Sequence, residues 1–329
     1  MLRRAYALWR DLEAAMGQTV TIANGWIDAG PEDGPLFGGT LASARLHDLP
    51  HEVLAGAEVN ARFSGYRLPT RTRAVFQPEG GFVLSERAIV AHVRAAQAAG
   101  AEVRAREAVL GWEARPGGEG VAVVTDKGLY EAGRLVLAAG AWMADLAPVL
   151  RGLAVPERQV PAWLQPLRPP LFEPGRFPVF NLQVEEGRCY GLPVWEVPGF
   201  KLGRYHHREE RAPAEAMRRE MDAEDEPLLR GFAERYFPDG AGATMALRAC
   251  TFTNTPDEHF IPDCHPEMPQ VVLAPPCSGQ GYKFRSVVGE ILADLTNGDG
   301  TTRRDIGFLR LGRLRTPPRS AGDHADAAR

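Results

Sequence analysis

The spacing of hydrophobic and polar positions divides the chain into helical and extended segments. Apolar residues between Leu2 and Met16 recur every three or four positions, which predicts an amphipathic helix at the start of the chain. The same spacing, together with start and stop signals, predicts further helices over residues 41–47 with Thr40 as N-cap, 85–100 with an N-cap at Ser85, 214–236 and 287–295.

Other segments have the composition and spacing of strands. The clearest begins at Arg134 and runs through a continuous apolar stretch into the small-residue turn at Gly140. We expect such a strand to be buried on both faces, as in a doubly wound sheet. A similar apolar run covers residues 271–274. Further strands are predicted at residues 19–22, 25–30, 74–77, 102–105 and within 109–124.

The middle of the chain differs in character from its flanks. Residues 156–250 are rich in Pro, aromatic residues and alternating strands, which indicates an antiparallel sheet inserted between α/β segments. The sequence therefore predicts a mixed α/β fold in which a doubly wound domain and an antiparallel-sheet domain are interleaved. We assign residues 1–15, 76–147 and 251–310 to the first domain, 16–75 and 148–250 to the second, and 311–329 to a disordered tail.

Composition and charge exclude several classes of protein. The 329 residues carry a formal net charge of −4, which gives no footprint for nucleic acid or for a membrane surface. No apolar run approaches the roughly 18–20 residues that cross a bilayer. Asp11 and Glu13 interrupt the basic start, which favours a cytoplasmic protein over one with a targeting presequence. Four cysteines without a Cys-x-x-Cys pair argue against a zinc ribbon or a disulfide scaffold.

Four segments of the chain resemble segments of known proteins, and they occur in the same order as in those proteins. Residues 248–263 read Arg-Ala-Cys-Thr-Phe-Thr-Asn-Thr-Pro-Asp-Glu-His-Phe-Ile-Pro-Asp, and residues 278–284 read Ser-Gly-Gln-Gly-Tyr-Lys-Phe. The others are Tyr-Gly-Leu-Pro with the following Phe-Lys-Leu-Gly, at 190–203, and Ala-Gly-Ala-Trp at 139–142. Together they resemble the D-amino-acid-oxidase superfamily and, within it, the family of monomeric sarcosine oxidase and N-methyltryptophan oxidase.

The resemblance implies an FAD cofactor that is bonded covalently to the sulfur of Cys250. By residue type alone Cys250 would be a small buried hydrophobic residue, as we expect Cys189, Cys264 and Cys277 to be. The other FAD contacts that the family implies are Val109 at the adenine, Ala139, Gly140 and Trp142 near the phosphates, and Gly279, Gln280, Gly281, Tyr282 and Lys283 at the flavin.

Three residues match catalytic positions of the family. Lys283 corresponds to the lysine that holds the substrate carboxylate, and Lys201 to the lysine that activates oxygen. His206 corresponds to an active-site histidine, and His207 competes with it for that position. Lys201 also has a plain interpretation as a strand lysine, and a lone histidine on a strand is more often structural.

The substrate pocket of the family matches Tyr190, Asn181 and Phe252. Asn181 replaces a methionine, Phe252 a tyrosine and Gln280 a histidine, so the substrate side chain stays open. The resemblance implies a monomer that oxidises a secondary, N-methyl amino acid such as sarcosine, with oxygen as acceptor and hydrogen peroxide as product. The alternatives are a cyclic or bulky substrate, such as pipecolate or N-methyltryptophan, and a cofactor-free remnant.

The family's first structural unit has no counterpart in this sequence. That unit is a strand with a Gly-x-Gly-x-x-Gly turn, which places the FAD diphosphate at a helix N-terminus. Met1 corresponds to the helix that follows it. We therefore expect a doubly wound FAD-binding domain without its first βαβ unit, because of a late start codon, a fragment or a truncated gene model. A pseudoenzyme is the alternative interpretation.

Overall fold

A computed structural model of the chain describes residues 1–274, 278–298 and 300–314. Cys277 and most of the predicted tail lie outside the described residues. The helices are α1 (Leu2–Met16), α2 (Pro35–Leu46), α3 (Gly56–Arg62), α4 (Ser85–Ala98), α5 (Met143–Leu146), α6 (Asp225–Tyr236) and α7 (Arg285–Asn297). Short 3-10 turns connect several of these elements.

The strands fall into two groups along the chain. The first group comprises β1 (Thr21–Ala23), β2 (Trp26–Gly30), β3 (Glu52–Ala55), β4 (Arg73–Gln77), β5 (Gly81–Val83), β6 (Val109–Ala114), β7 (Val121–Thr125), β8 (Leu129–Ala132) and β9 (Leu135–Leu137). The second group comprises β10 (Val155–Gln159), β11 (Pro161–Leu164), β12 (Val179–Val184), β13 (Gly187–Leu192), β14 (Phe200–Arg204), β15 (Thr244–Leu247), β16 (Cys250–Asn254), β17 (Asp263–Cys264) and β18 (Val271–Leu273).

The chain divides into two compact units, and both consist of separate segments. The first unit contains Met1–Leu8, Gly100–Pro156 and the chain from Phe252 onward. The second contains Trp9–Ala99 and Glu157–Thr251. Helices and sheets occur together in the chain, so the predicted mixed α/β fold class is confirmed.

An eight-stranded sheet forms the second unit, in the order β15-β11-β14-β13-β12-β2-β4-β3. Its pairings are antiparallel except for β12 with β2, which run parallel. Alternate residues of a strand point to opposite faces, and residues in register share a face. The sheet therefore has two chemically different faces, which we call the core face and the polar face.

The core face carries the large apolar side chains of the strands. Phe180, Phe200 and Leu202 are fully buried there, and they pack with Phe232 and Phe237 in and after α6. Complete burial of one such side chain stabilises the fold by about 1.5–3 kcal/mol. The core face consequently makes a large contribution to the stability of this unit.

The first unit contains two small sheets and a separate core. One sheet pairs β6, β7 and β8 in antiparallel order, and the other places β18 between β17 and β9, with β18 and β9 parallel. The buried residues Leu137, Met143, Leu150, Val271 and Leu273 belong to one apolar cluster. The N-terminal residues join α7 through Arg4, whose Nε donates to Glu290 at 2.9 Å.

Two predicted strands differ from the structure. Residues 102–105 form no strand, and every residue from Ala101 to Arg106 is exposed. No described strand pairs with this run, and an extended segment without a ladder partner is not a strand. The strand after Arg134 is confirmed as β9, but its expected burial on both faces is wrong. β9 lies at the edge of its sheet, which leaves Val136 38% exposed.

The predictions located the helices along the chain better than they located the first residue of each helix. The helix expected at 41–47 begins earlier, at Pro35, after the N-cap Gly34, so Thr40 lies inside the helix. Proline at the first helical position was the signal for this start. Ser85 is the first residue of α4 rather than its cap, and its hydroxyl donates to Glu86 Oε2 at 2.7 Å.

The helix expected over 214–236 is regular only from Asp225 onward. Its first part is a 3-10 turn, Ala214–Ala216, and Pro227 lies in the first turn of α6. Proline is tolerated in a first turn but breaks a helix interior, which explains why the helix does not extend upstream. The helices predicted between Leu2 and Met16 and over residues 287–295 are confirmed by α1 and α7.

Candidate active site

The polar face of the eight-stranded sheet carries three of the predicted site residues. Asn181 on β12 lies in register with Tyr190 on β13 and with Asp28 on β2. Lys201 on β14 is in register with Trp163 on β11, and its Nζ is 4.9 Å from the centroid of the Trp163 ring. Because Gly203, two residues along β14, is in register with Tyr190, these side chains share one surface.

Lys201 is a largely enclosed cation on this surface. Burial lowers the pKa of Lys201, and the nearby Cys250 and Glu86 oppose this effect by favouring the ammonium form. The Trp163 ring contributes a cation–π contact, which attracts the ammonium without supplying a negative charge. The arrangement therefore holds a positive charge in a partly dehydrated position, where its field is stronger than in water.

Cys250 provides an exposed sulfur that interacts electrostatically with Lys201. The residue is exposed, whereas Cys189 is buried and Cys264 partly buried. The surrounding protein nonetheless raises the pKa of the Cys250 thiol, and Lys201 lowers it. Its exposure distinguishes Cys250 from a packing cysteine, whereas its raised pKa disfavours the thiolate form. Burial raises the pKa of Cys189 to about 12, which agrees with the expected packing role.

Tyr190 is held in place by its neighbours on the polar face. Burial, followed by the nearby Cys250, raises the pKa of the Tyr190 hydroxyl, which therefore stays protonated. Its ring meets that of Tyr205 edge to face, with the centroids 5.1 Å apart. A Cβ at Gly203 would lie 2.6 Å from the Tyr190 hydroxyl, so only glycine leaves room for this ring.

Sequence reasoning missed three further polar-face residues. Arg188 donates from Nε to Asn181 Oδ1 at 2.9 Å, and its guanidinium carbon lies 4.7 Å from the Tyr205 ring centroid. Asp28 is buried and accepts a hydrogen bond from Thr40 at 3.0 Å. Alternate residues of a strand point to the same face. Because Arg188 is two residues from Tyr190, and Tyr205 is four residues from Lys201, this rule could have identified Arg188 and Tyr205 from the sequence.

The two candidate histidines have different partners. His206 adopts a left-handed φ of 53°, and its Nδ1 lies 2.7 Å from Oε1 of the buried Glu157. His207 is fully buried, with Nε2 3.1 Å from Asp225 Oδ1, and burial lowers its pKa. Asp225 is also bonded by both terminal nitrogens of Arg158, so His207 belongs to a structural ion-pair network.

In the first unit, the two most specific sequence motifs meet. Ser278 N donates to Thr253 O at 3.1 Å, and Thr255 N donates to Ser278 Oγ at 3.0 Å. Gly279 has a φ of +73°, and a Cβ there would lie 2.3 Å from the Phe252 ring. The glycine is thus required both by its backbone conformation and by close packing on Phe252.

Lys283 lies just after this turn, in the 3-10 turn Tyr282–Phe284 that precedes α7. The residue is exposed, and its Nζ donates to the carbonyl of Gln280 at 2.9 Å. The same Nζ lies 5.1 Å from the centroid of the Phe284 ring, within the range of a cation–π contact.

The residues predicted to contact the rest of FAD are also in the first unit. Val109, the first residue of β6, is 44% exposed, and Trp142 is 40% exposed. Gly140 has a φ of +59°, with no atom within 4 Å of a Cβ built there. Exposed apolar side chains and an open glycine turn suit an aromatic, phosphate-bearing group. Within the first unit, these residues fit the adenine and phosphate end of FAD.

None of the helices in the described part of the chain is long and apolar enough to span a membrane.

The likeness to solved structures concerns the fold. L-proline dehydrogenase from P. horikoshii matches with a TM-score of 0.81 at 18% identity, covering 95% of this chain and 82% of that protein. This chain therefore shares its fold with L-proline dehydrogenase and with NikD, which is described as an unusual amino acid oxidase.

Sequence comparison gives the family. The chain is 36% identical over 318 residues to monomeric sarcosine oxidase from Bacillus sp. strain NS-129, covering 94% of this chain and 80% of that protein. It is 32% identical to N-methyl-L-tryptophan oxidase from Yersinia pestis strain Pestoides F, covering 96% and 83%. The model of the DAO family, described as FAD dependent oxidoreductase, matches residues 1–295. The chain belongs to this family, and it is an FAD-dependent oxidoreductase that acts on CH–NH donors.

Proposed function

We propose that this enzyme oxidises a secondary, N-methyl amino acid such as sarcosine, with oxygen as the electron acceptor. A hydride leaves a carbon next to the amine nitrogen, and water hydrolyses the resulting imine to an aldehyde and an amine. FAD, when bound, takes up the two electrons that oxygen later receives to form hydrogen peroxide. The observation that carries the proposal is the grouping of Lys201, Tyr190 and Cys250 on and beside the polar face.

In this proposal Lys201 acts on the oxygen side of the reaction. Oxygen gains negative charge when it accepts the first electron, and a fixed, partly buried ammonium stabilises that charge. The cation–π contact with Trp163 supports this role because it orients Lys201 without neutralising it.

Lys283 binds the substrate carboxylate as an ion pair, and Tyr190, Asn181 and Phe252 line the space for the substrate. His206 is the active-site histidine of the proposal. The alternative, His207, is disfavoured because its imidazole is buried and bonded to Asp225.

Cys250 is the proposed point of covalent attachment for the flavin. Its exposure and its position near Lys201 support this assignment. Val109, Ala139, Gly140 and Trp142 hold the adenine and phosphate end in this proposal. The turn that comprises Gly279, Gln280, Gly281 and Tyr282 lies against the flavin ring, where the two glycines allow close approach of backbone N–H groups.

A cyclic or bulky amino acid, such as pipecolate or N-methyltryptophan, is the second candidate substrate. Asn181, Phe252 and Gln280 favour it, because each differs from the sarcosine oxidase pattern. We also propose a cytoplasmic monomer. The relative from Bacillus is named a monomeric enzyme.

The test is the absorbance and intact mass of the acid-precipitated protein. Retained flavin absorbance and a mass increase of one FAD are expected for the parent chain and for Cys264→Ala, the matched control at a partly buried thiol. Cys250→Ala should lose both signals. Hydrogen peroxide release from sarcosine, pipecolate and N-methyltryptophan then ranks the substrates. A chain that binds no flavin and oxidises none of these amines would instead be a cofactor-free remnant.

A further inference from the structure

A groove of about 530 Å³ lies at the end of the polar face where α2 approaches β12 and β13. The first turns of α2 form one wall, which includes Leu36 and Thr40. The other wall is formed by Gln183, Gly187 and Arg188. Its volume lies in the range of pockets that hold small molecules.

Arg188 is the only cationic side chain that lines this groove in the described part of the chain. Its Nε donates to Asn181 Oδ1, and the guanidinium stacks on Tyr205. These two contacts fix the plane of the guanidinium. Its terminal nitrogens have no hydrogen-bond partner, and the group forms no ion pair, among the residues that the structure describes. A fixed guanidinium with free N–H groups is suited to binding a carboxylate.

The negative groups near the groove form no ion pair with Arg188 among the residues that the structure describes. Glu185 and Glu186, in the turn between β12 and β13, are paired with Arg235. Asp28 accepts a hydrogen bond from Thr40; burial raises the pKa of its carboxyl group, and the nearby Arg188 opposes this rise only in part. The N-terminal end of the twelve-residue helix α2 adds a partial positive charge to the opposite wall. The groove is therefore suited to an anion rather than to a cation.

Strand β13 carries residues both of the groove and of the proposed substrate site. Arg188 and Tyr190 are two residues apart on the same face, so their Cα atoms are about 7 Å apart. Asn181 links them further, since it is in register with Tyr190 and bonded to Arg188. A substrate whose amine lies beside Tyr190 could reach the guanidinium with a side chain of a few bonds.

We propose that Arg188 binds a second carboxylate, at the far end of the substrate side chain, so that the preferred substrate is an N-methyl dicarboxylic amino acid. This inference rests on the proposed function, because it takes Tyr190 as part of the substrate site. Thr40, on the opposite wall, contributes to the polar lining of the groove. Asn181, which replaces a methionine of the sarcosine oxidase pattern, positions Arg188 through the hydrogen bond with its Nε.

The test compares N-methylglutamate, N-methylglutamine and sarcosine as substrates of the flavin-loaded enzyme. N-methylglutamine has the shape of N-methylglutamate but no distal charge. We expect kcat/KM for N-methylglutamate to exceed that for N-methylglutamine by at least about tenfold, because a charge-assisted hydrogen bond to Arg188 is stronger than a neutral one. Equal values for the two substrates, or a preference for the amide, would overturn the proposal.

Arg188→Met should lower the ratio of kcat/KM for N-methylglutamate to that for sarcosine by roughly 10–100-fold. Arg188→Lys should recover part of this ratio, because it keeps the charge and loses the planar fork. Arg71→Met is the matched control, since Arg71 is an exposed arginine in a surface ion pair with Glu185. A purely structural role of Arg188 would lower the rates with all three substrates together and leave the ratio unchanged, which contradicts the proposal.

Calorimetric binding of glutarate separates this inference from the proposed function. Binding by the parent protein and by Arg71→Met, but not by Arg188→Met, supports the groove even if no amine is oxidised. If sarcosine is oxidised normally while glutarate binds all variants equally or not at all, the proposed function stands and the assignment of the groove is wrong.

Discussion

The two faces of the eight-stranded sheet are made by the same strands but follow different rules. On the core face Phe180 and Phe200 are fully buried among apolar neighbours, and their identity matters chiefly through volume and shape. On the polar face Lys201, Tyr190 and Arg188 are partly buried and make specific contacts. The comparison teaches that one face stabilises the sheet while the other holds charged groups at fixed separations.

The largest expected effect comes from breaking the core face. The Phe180 ring stacks on Phe237, with centroids 4.6 Å apart, and its removal leaves a cavity at the centre of the aromatic cluster. Phe180→Ala should lower the free energy of unfolding by about 3–5 kcal/mol. Urea denaturation measures this. Leu46→Ala, at a side chain that is 80% exposed, is the control and should change it by less than about 0.5 kcal/mol.

The next largest effect is expected from a substitution that changes the polar face and leaves the core face intact. Lys201→Met keeps the length of the side chain but removes the charge near Cys250, so oxidation of the reduced enzyme by oxygen should slow about 10²–10³-fold. Reduction by substrate without oxygen should change much less. Stopped-flow absorbance separates the two half-reactions. Lys127→Met, in an exposed turn, is the control, and an equal loss in both half-reactions would contradict the assigned role.

The smallest effect is expected at Asp28, a residue of the polar face that is nonetheless buried. A substitution there tests how burial affects a charged group of that face. Burial raises the pKa of this carboxyl above its unfolded value of about 3.9, so the folded chain holds the proton more tightly. Asp28 therefore costs stability once the pH exceeds both values, and the cost disappears as the pH falls to about 4. Asp28→Asn should be as stable as the parent at pH 4 and more stable than the parent at pH 7.

Urea denaturation at the two pH values measures this difference, with Asp33→Asn at an exposed position as the control. A loss of stability at pH 7 in Asp28→Asn would show that the contacts of the charged carboxylate, including that from Thr40, outweigh its burial.

Local signals in the sequence identified most elements but located some of their ends wrongly. The amphipathic helix α1 agrees with the prediction at both ends because its spacing is continuous over 15 residues. The start of α2 was missed because Thr40 resembles an N-cap, although its hydroxyl bonds to Asp28 on the neighbouring strand β2. A side chain that binds a distant partner cannot be distinguished from a cap by local pattern.

By itself, the sequence determined the family, the mixed α/β class and the motifs around Cys250 and Lys283, because each depends on residues that are close along the chain. Only the tertiary structure decided which strands pair. The parallel pairing of β2 with β12 brings Asp28 beside Asn181, and it makes Arg188 a wall of the groove rather than a surface residue. Strand pairing is non-local, since backbone groups can bond any partner and the choice depends on how the whole sheet buries its core face.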